Sequence, residues 1–398
     1  MTENSAIFSP WDTELVRADT PGLPGRIHLD NCGSALMPAV VAHALQEHLQ
    51  LELRVGGYVA QEQQSEALSA VYSSFAKLLG GESSDYALAG SAVDAWTKAF
   101  YSVPMVSGDN IVTAYNEYCS NYVAYLQRAK RDGIEIRVAR PDADGCLDLV
   151  HLESLITNRT KLISLTHVPS SSGQIAPVEK VGEIARDRGI LFLLDACQSI
   201  GQLPVNFLQI GCDMATGTGR KFLRGPRGIG FLYINERARA AVDPVVLTNQ
   251  AATWTGTDSY SLRSDAGVFE AWERSCGNQL GLGAALDYFM ALGVDKTTDQ
   301  LRDLSDYLRA GLAAIKGVTP TCQANSRAAI ITFNKDGWGA SEIKAHMESQ
   351  GIATQVASVI HTRLDLEARG IETTARVSPH YYNTTEEIDQ FLNVLEAL

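Results

Sequence analysis

The chain has 398 residues, 45% of them hydrophobic and 20% charged, an ordinary globular composition on a chain too long for one compact core, so two domains are expected. Lys and Arg number 33 against 46 Asp and Glu, a net charge of −13 with a pI near 5.1. That balance repels phosphodiester backbones and anionic lipid, which argues against nucleic acid or a membrane surface as a partner.

The opening MTENSAIFSPWDTELVRAD is polar and acidic, without a basic start followed by an apolar stretch. No apolar run approaches the length of a membrane span, since Asp195 interrupts GILFLLDAC. The seven cysteines are scattered and form no CxxC pair, a pattern of free thiols in a reducing compartment with no disulfide framework and no metal site. A cytoplasmic location is expected.

In chain order, residues 1–28 read as a leader ending in the Pro/Gly-punctuated TPGLPGRIHLD. From 29 to 262 short β-rich runs (YALAG, NIVTAY, EIRVARP, KLISLTHV, ILFLLDA, GIGFLYI) alternate with helical patterns such as VDAWTKAFYSV and VEKVGEIARDRG. The alternation predicts an α/β domain whose mostly parallel sheet is flanked by helices. The continuous apolar run from Ile190 to Leu194 predicts a central strand buried on both faces. From 263 to 398 long helical patterns lead into the strands AAIITF and IATQVAS and the helix TEEIDQFLNVLEAL, a smaller C-terminal α/β domain.

Three segments carry chemistry. In LLDACQS, Asp195 ends the buried strand, where a carboxylate is costly unless a cation sits against it. A protonated pyridine nitrogen would supply that cation at the carboxyl end of a parallel strand, and Gln198 follows within reach of a ring substituent; read alone, Asp195 fits a helix cap better. In ATGTGRKFLRGPRG, small residues precede Lys221 and a Gly/Pro turn follows, a place suited to a Schiff-base lysine. Thr218 and Arg220 there suit a phosphate, and a basic surface turn is the plain alternative. In LAGSAVDAW, Ser91 and Ala92 stand between a strand and a helix, where backbone N–H groups can meet a phosphate.

Taken in order, GSA, EYCSN, HVPSSSG, LLDACQS, TGTGRK and RVSPHYYN resemble the class V aminotransferase group of fold-type I pyridoxal-phosphate (PLP) enzymes. That group includes cysteine desulfurases, isopenicillin-N-epimerase-like proteins and hercynylcysteine sulfoxide lyases. The resemblance covers residues 27 to 395 and implies the fold-type I architecture with PLP as cofactor. It implies that Lys221 forms the Schiff base, Asp195 pairs with the ring nitrogen and Gln198 with the ring oxygen. Ser91, Ala92, Thr218 and Arg220 would hold the phosphate, Tyr118 would stack on the ring, and Ser170 of HVPSSSG would join the cofactor shell. Arg376 would bind the substrate α-carboxylate. Tyr118 and Arg220 stand where desulfurases usually carry His, so His-assisted steps do not transfer.

Desulfurases take sulfur on a cysteine in a loop just before the carboxylate arginine; here Gly351 to Arg376 contains none. The segments RVGGYVA, TGRKFLRGPRG and RSDAGVFEAWE resemble the lyase and epimerase-like branch. The leading expectation is therefore α,β-elimination on a cysteine conjugate or its sulfoxide, giving pyruvate and ammonia. Epimerisation, racemisation and transamination use the same residues and stay open, with desulfuration or a non-catalytic PLP-binding protein behind them. The resemblance also implies a homodimer, in which TWTGTDSY (Thr253 to Tyr260) would reach a neighbouring copy's phosphate.

Overall fold

The computed structural model describes residues 12–323 and 325–398; of the expected leader, residues 1–11 lie outside the described residues. Seven strands form the main sheet: β1 (Tyr86–Ala89), β2 (Asn110–Ala114), β3 (Glu135–Ala139), β4 (Thr160–Thr166), β5 (Leu191–Asp195), β6 (Met214–Thr218) and β7 (Gly230–Ile234). Their spatial order is β1-β7-β6-β5-β4-β2-β3. Every pair is parallel except those of β7, which runs antiparallel to β1 and β6.

The apolar run of β5 divides by alternation. Phe192 and Leu194 enter one core and Leu191 and Leu193 the other, because successive side chains of a strand point to opposite faces. The longer helices are α1 (Ala39–Val55), α2 (Ser65–Leu79), α3 (Ala92–Ser102), α4 (Cys119–Asp132), α5 (Val178–Asp187), α6 (Cys276–Leu292), α7 (Val294–Ala314), α8 (Ala340–Ser349) and α9 (Thr385–Glu396). Phe75 of α2, Val181 of α5 and Leu286 of α6 pack in one core, and Trp96 of α3 and Tyr125 of α4 in the other. In α5 the apolar positions Val178, Val181 and Ala185 are buried, three to four residues apart. Gly182 on the same stripe lets the helix touch the chain at Ile210, since a Cβ there would lie 1.8 Å from the Ile210 carbonyl oxygen.

The strands β8 (Ala252–Gly256) and β9 (Ser259–Leu262) form an exposed hairpin. Beyond it, β10 (Val318–Pro320), β11 (Ile331–Lys335), β12 (Gln355–Ser358) and β13 (Thr373–Val377) make a four-stranded antiparallel sheet in the order β10-β11-β13-β12. Its core joins Leu308 of α7, Phe333, Met347 of α8 and Phe391 of α9. Ile27–His28 pairs with Ile352–Ala353, so Ile27 and Leu29 also belong to this core. Leu282, Leu286 and Phe289 of α6 lie after residue 262 in the chain yet pack in the large-sheet core; the small-sheet core takes up the chain from Leu304. Among the described residues no helix is long and apolar enough to cross a membrane.

Two elements differ from expectation. Met214–Thr218 (MATGT) is a strand next to β5, although its small residues read as a flexible approach to Lys221; strand pairing on both sides outweighs their weak β preference. The long helical pattern from Val268 breaks into a short 3₁₀ turn, Ala266–Phe269, and a helix that starts at Cys276, where the Ser275 side chain caps the Asn278 N–H.

The turn after Lys221 is pinned by Arg224. Arg224 has φ +60°, and its N–H donates to the Lys221 carbonyl at 2.8 Å. Its buried guanidinium has no carboxylate partner among the described residues. It donates to the Leu36 carbonyl (2.8 Å), Thr20 Oγ1 (2.5 Å) and Tyr381 OH (3.3 Å), and faces the rings of Tyr382, Tyr381 and Tyr288 at 4.7, 5.3 and 5.7 Å. Cation–π contact and neutral acceptors thus offset the desolvation of the charge. Arg224→Ala leaves a cavity and three unpaired groups, so it is expected to lower unfolding free energy by about 3 kcal/mol. Urea denaturation checks this, and a loss below about 1 kcal/mol contradicts it.

Candidate active site

The carboxyl ends of β4, β5 and β6 open on a cavity of about 280 Å³. Of the residues expected from sequence, Ser91, Ala92, Tyr118, Ser170, Asp195, Gln198, Thr218, Arg220 and Lys221 all line it. Arg376 does not. It stands behind the wall on β13, donating to the Ser170 carbonyl at 3.2 Å and to Asp30 at 3.3 Å, with its Nε buried and unpartnered.

Asp195 is the last residue of β5 and only 7% exposed. Its Oδ1 accepts from the Cys197 N–H (3.0 Å) and its Oδ2 from Asn121 Nδ2 (3.1 Å). It forms no ion pair among the described residues. Gln198 donates through Nε2 to the Cys32 carbonyl at 3.1 Å, and its Oε1 is buried without a partner. Lys221 follows β6 inside a tight loop closed by Gly225 N–H on the Gly219 carbonyl at 2.7 Å. Burial pulls its amine below the usual lysine range, with Arg220 adding to the effect and Cys197 and Asp195 opposing it. Arg220 donates to the Gly33 carbonyl.

At the opposite wall Ser91 caps α3, its Oγ accepting from the Asp94 N–H at 3.0 Å. The first-turn N–H groups of Ala92 and Val93 are left without intrahelical partners beside the cavity. The turn lies against Gly230 of β7, where a Cβ would be 2.3 Å from Ala92 N. Only glycine allows that approach.

Sequence reasoning missed several wall residues: Asn116, Asn121, Thr166, Cys197, Arg227 and Thr362. Asn121 and Glu117 were legible as an i, i+4 pair at the start of a helical pattern. Thr362 carried no signal; it reaches the site from the small domain, its Oγ1 2.9 Å from Ser171 Oγ.

The donor set fits PLP. Asp195 offers a buried carboxylate for the ring nitrogen, and Gln198 Nε2 has a second N–H for the ring oxygen beyond the one it gives to the Cys32 carbonyl. Lys221 offers an amine whose charge burial disfavours, and the Ser91–Ala92 turn with Thr218 and Arg220 offers donors for a phosphate.

Comparison with known proteins agrees. The aminotransferase class-V family matches residues 27–391. A probable cysteine desulfurase of Methanothermobacter thermautotrophicus is 28% identical over 396 residues, covering 97% of this chain and 98% of its own. The apo structure of the cysteine desulfurase from Thermococcus onnurineus superposes with a TM-score of 0.89 at 27% identity, over 96% of this chain and 97% of its own. A cystine C–S lyase solved with cysteine persulfide has a TM-score of 0.85 at 21% identity, over 95% and 99% of the two chains, a likeness of fold. The fold is that of the fold-type I PLP enzymes, and PLP is the cofactor.

Gly230→Ala is expected to push the Ser91–Ala92 turn away and weaken PLP retention by at least about tenfold, while the thermal midpoint of the apoprotein changes little by comparison. Equilibrium titration of apoprotein with PLP checks this; wild-type affinity in the variant contradicts the close approach.

Proposed function

Because the chain belongs to the aminotransferase class-V family of PLP-dependent enzymes, we propose that it catalyses α,β-elimination on a cysteine conjugate or its sulfoxide, releasing the sulfur group and giving pyruvate and ammonia. Proteins of this fold are named both for desulfuration and for C–S lysis, so the fold does not separate the two. The observation that carries the reading is the set of thiols at the cavity. The segment Gly351 to Arg376 places Thr362 in the wall and holds no cysteine. Among the described residues Cys197 is the cysteine that lines the cavity. Burial and then Asp195 push its thiol well above the usual range. Desulfuration needs a thiolate acceptor, and a thiol held protonated is a poor one.

When bound, PLP supplies the electron sink that makes the α-proton acidic. The rest is done by the chain. Asp195 holds a proton at the ring nitrogen, so the sink keeps its charge. Arg376, released from Asp30, takes the substrate carboxylate and orients the Cα–H bond. Lys221 Nζ, favoured as the neutral amine by burial, takes the α-proton as the sulfur group leaves Cβ with the bonding pair, and the aminoacrylate released takes up one water from solution to give pyruvate and ammonia. The apolar wall of Val93, Trp96 and Val168 limits water around that transfer.

We also read the protein as a cytoplasmic homodimer acting on a small-molecule amino-acid substrate. Tyr58 (78% exposed), Leu53 (72%) and Trp254 of the hairpin (80%) are large apolar side chains left in solvent, the kind of surface an oligomer covers.

The relatives named as desulfurases favour one other reading, and products separate the two. Incubated with cysteine conjugates and sulfoxides, the enzyme should release pyruvate and ammonia, and activity should survive replacement of Cys197. Alanine as the main product, lost on replacing one cysteine, assigns a desulfurase instead, and a D-amino acid without keto acid assigns an epimerase. Borohydride should trap the cofactor on Lys221; a reduced adduct mapped to another lysine overturns the assignment of that residue.

A further inference from the structure

Asp195 shares its hydrogen-bond donor with a second buried carboxylate. Asn121 Nδ2 lies 3.1 Å from Asp195 Oδ2 and 3.0 Å from Glu117 Oε1, so one amide proton serves each acid. Glu117 precedes α4 and Asn121 lies one turn on, which brings both side chains to the same side of the helix start.

Glu117 is 4% exposed. Its Oε1 also accepts from the Tyr118 N–H at 2.8 Å and from the Thr166 hydroxyl. Its Oε2 faces the hydroxyls of Thr113 on β2 (3.1 Å) and Tyr125 on α4 (3.3 Å). The titratable groups facing it are thus Tyr118 and Tyr125 from the α4 segment and Asp195 from β5. No lysine or arginine pairs with it among the described residues. A buried carboxylate ringed by neutral donors is costly as an ion-pair member that has no pair, yet every partner it has is arranged to donate to it.

We infer that Glu117, acting through the Asn121 amide, is a positioning residue that fixes the Asp195 carboxylate and strengthens its hold on the proton of the cofactor's ring nitrogen. The amide prevents Asp195 from turning, and a second negative charge one amide away makes the Asp195 site a better proton holder. Burial raises Glu117 to about 7, with the Thr166, Asn121 and Tyr118 donors opposing that rise and the Asp195 charge adding to it, so the second charge is complete only above that pH. The inference rests on Asp195 being the partner of the ring nitrogen.

The test uses full-length holoenzyme reconstituted with PLP labelled with ¹⁵N in the ring, its nitrogen signal followed by NMR as pH is raised. In Glu117→Gln the apparent pKa of the ring nitrogen is expected to fall by about one unit, tenfold in proton affinity, and in Glu117→Asp, which keeps the charge but shortens its reach to the Asn121 amide, by less. Phe391→Leu, a change on α9 in the small-sheet core away from the carboxylates, is expected to lower the melting temperature without moving that signal. Should Glu117→Gln fail to fold, Glu117→Asp carries the test, because it loosens the bridge while leaving Asp195 its Asn121 donor. Wild-type titration in the folded variants, with Asp195→Asn shifting the signal, overturns the inference. Wild-type titration in Asp195→Asn itself removes the reading of Asp195 on which it rests.

Discussion

A carboxylate buried at the end of a central strand is the constraint around which this molecule is arranged. Asp195 cannot move outward, because β5 is paired on both sides and its side chains fill cores on both faces. Its charge must be met where it stands. The protein meets it with one backbone N–H and one side-chain amide, and leaves the cavity side open for a cationic ring. The topology supplies the rest at the same edge, since parallel neighbours end together and their following loops converge.

Convergence also depends on where the chain does without side-chain volume. Gly230 lets the start of α3 lie on β7, and Gly173, with φ +63° and a virtual Cβ 2.1 Å from the Ile330 carbonyl oxygen, lets the SSSG turn touch the small domain. Through that contact Ser171 meets Thr362 and Ser170 meets Arg376. Arg376 therefore belongs to the joint between the two sheets, and its ion pair with Asp30 ties in the N-terminal segment as well. A carboxylate substrate would compete with Asp30 for the same guanidinium, which makes binding at this arginine an exchange of partners.

Lys221 is positioned from outside the large sheet. The Arg224 clasp draws together Thr20 and Leu36 near the N-terminus and Tyr381 and Tyr382 near the C-terminus. Segments more than 340 residues apart in the chain are bonded here, as in Leu36 N–H to Tyr382 OH at 3.3 Å. The lysine loop is thus held by the ends of the chain, and loosening either end would blur the placement of its amine.

Much of the main sheet and the cluster at its edge was legible in the sequence. The apolar run before Asp195 reads as a strand covered on both faces, and the small residues before Lys221 and after Ala89 mark places where backbone approaches something closely. These are local properties of burial and size, and local pattern carries them. The strand character of Met214–Thr218 was not legible, because alanine, threonine and glycine become a strand there only through neighbours on both sides. The partnership of Glu117, Asn121 and Asp195 was hidden for a related reason: acid and amide are adjacent on a helix, but their target lies 74 residues on from Asn121. Residue types and spacing determined which chemistry the chain could hold; the distances at which those groups meet were decided by packing, because a hydrogen bond or a charge acts through space and is blind to separation along the chain.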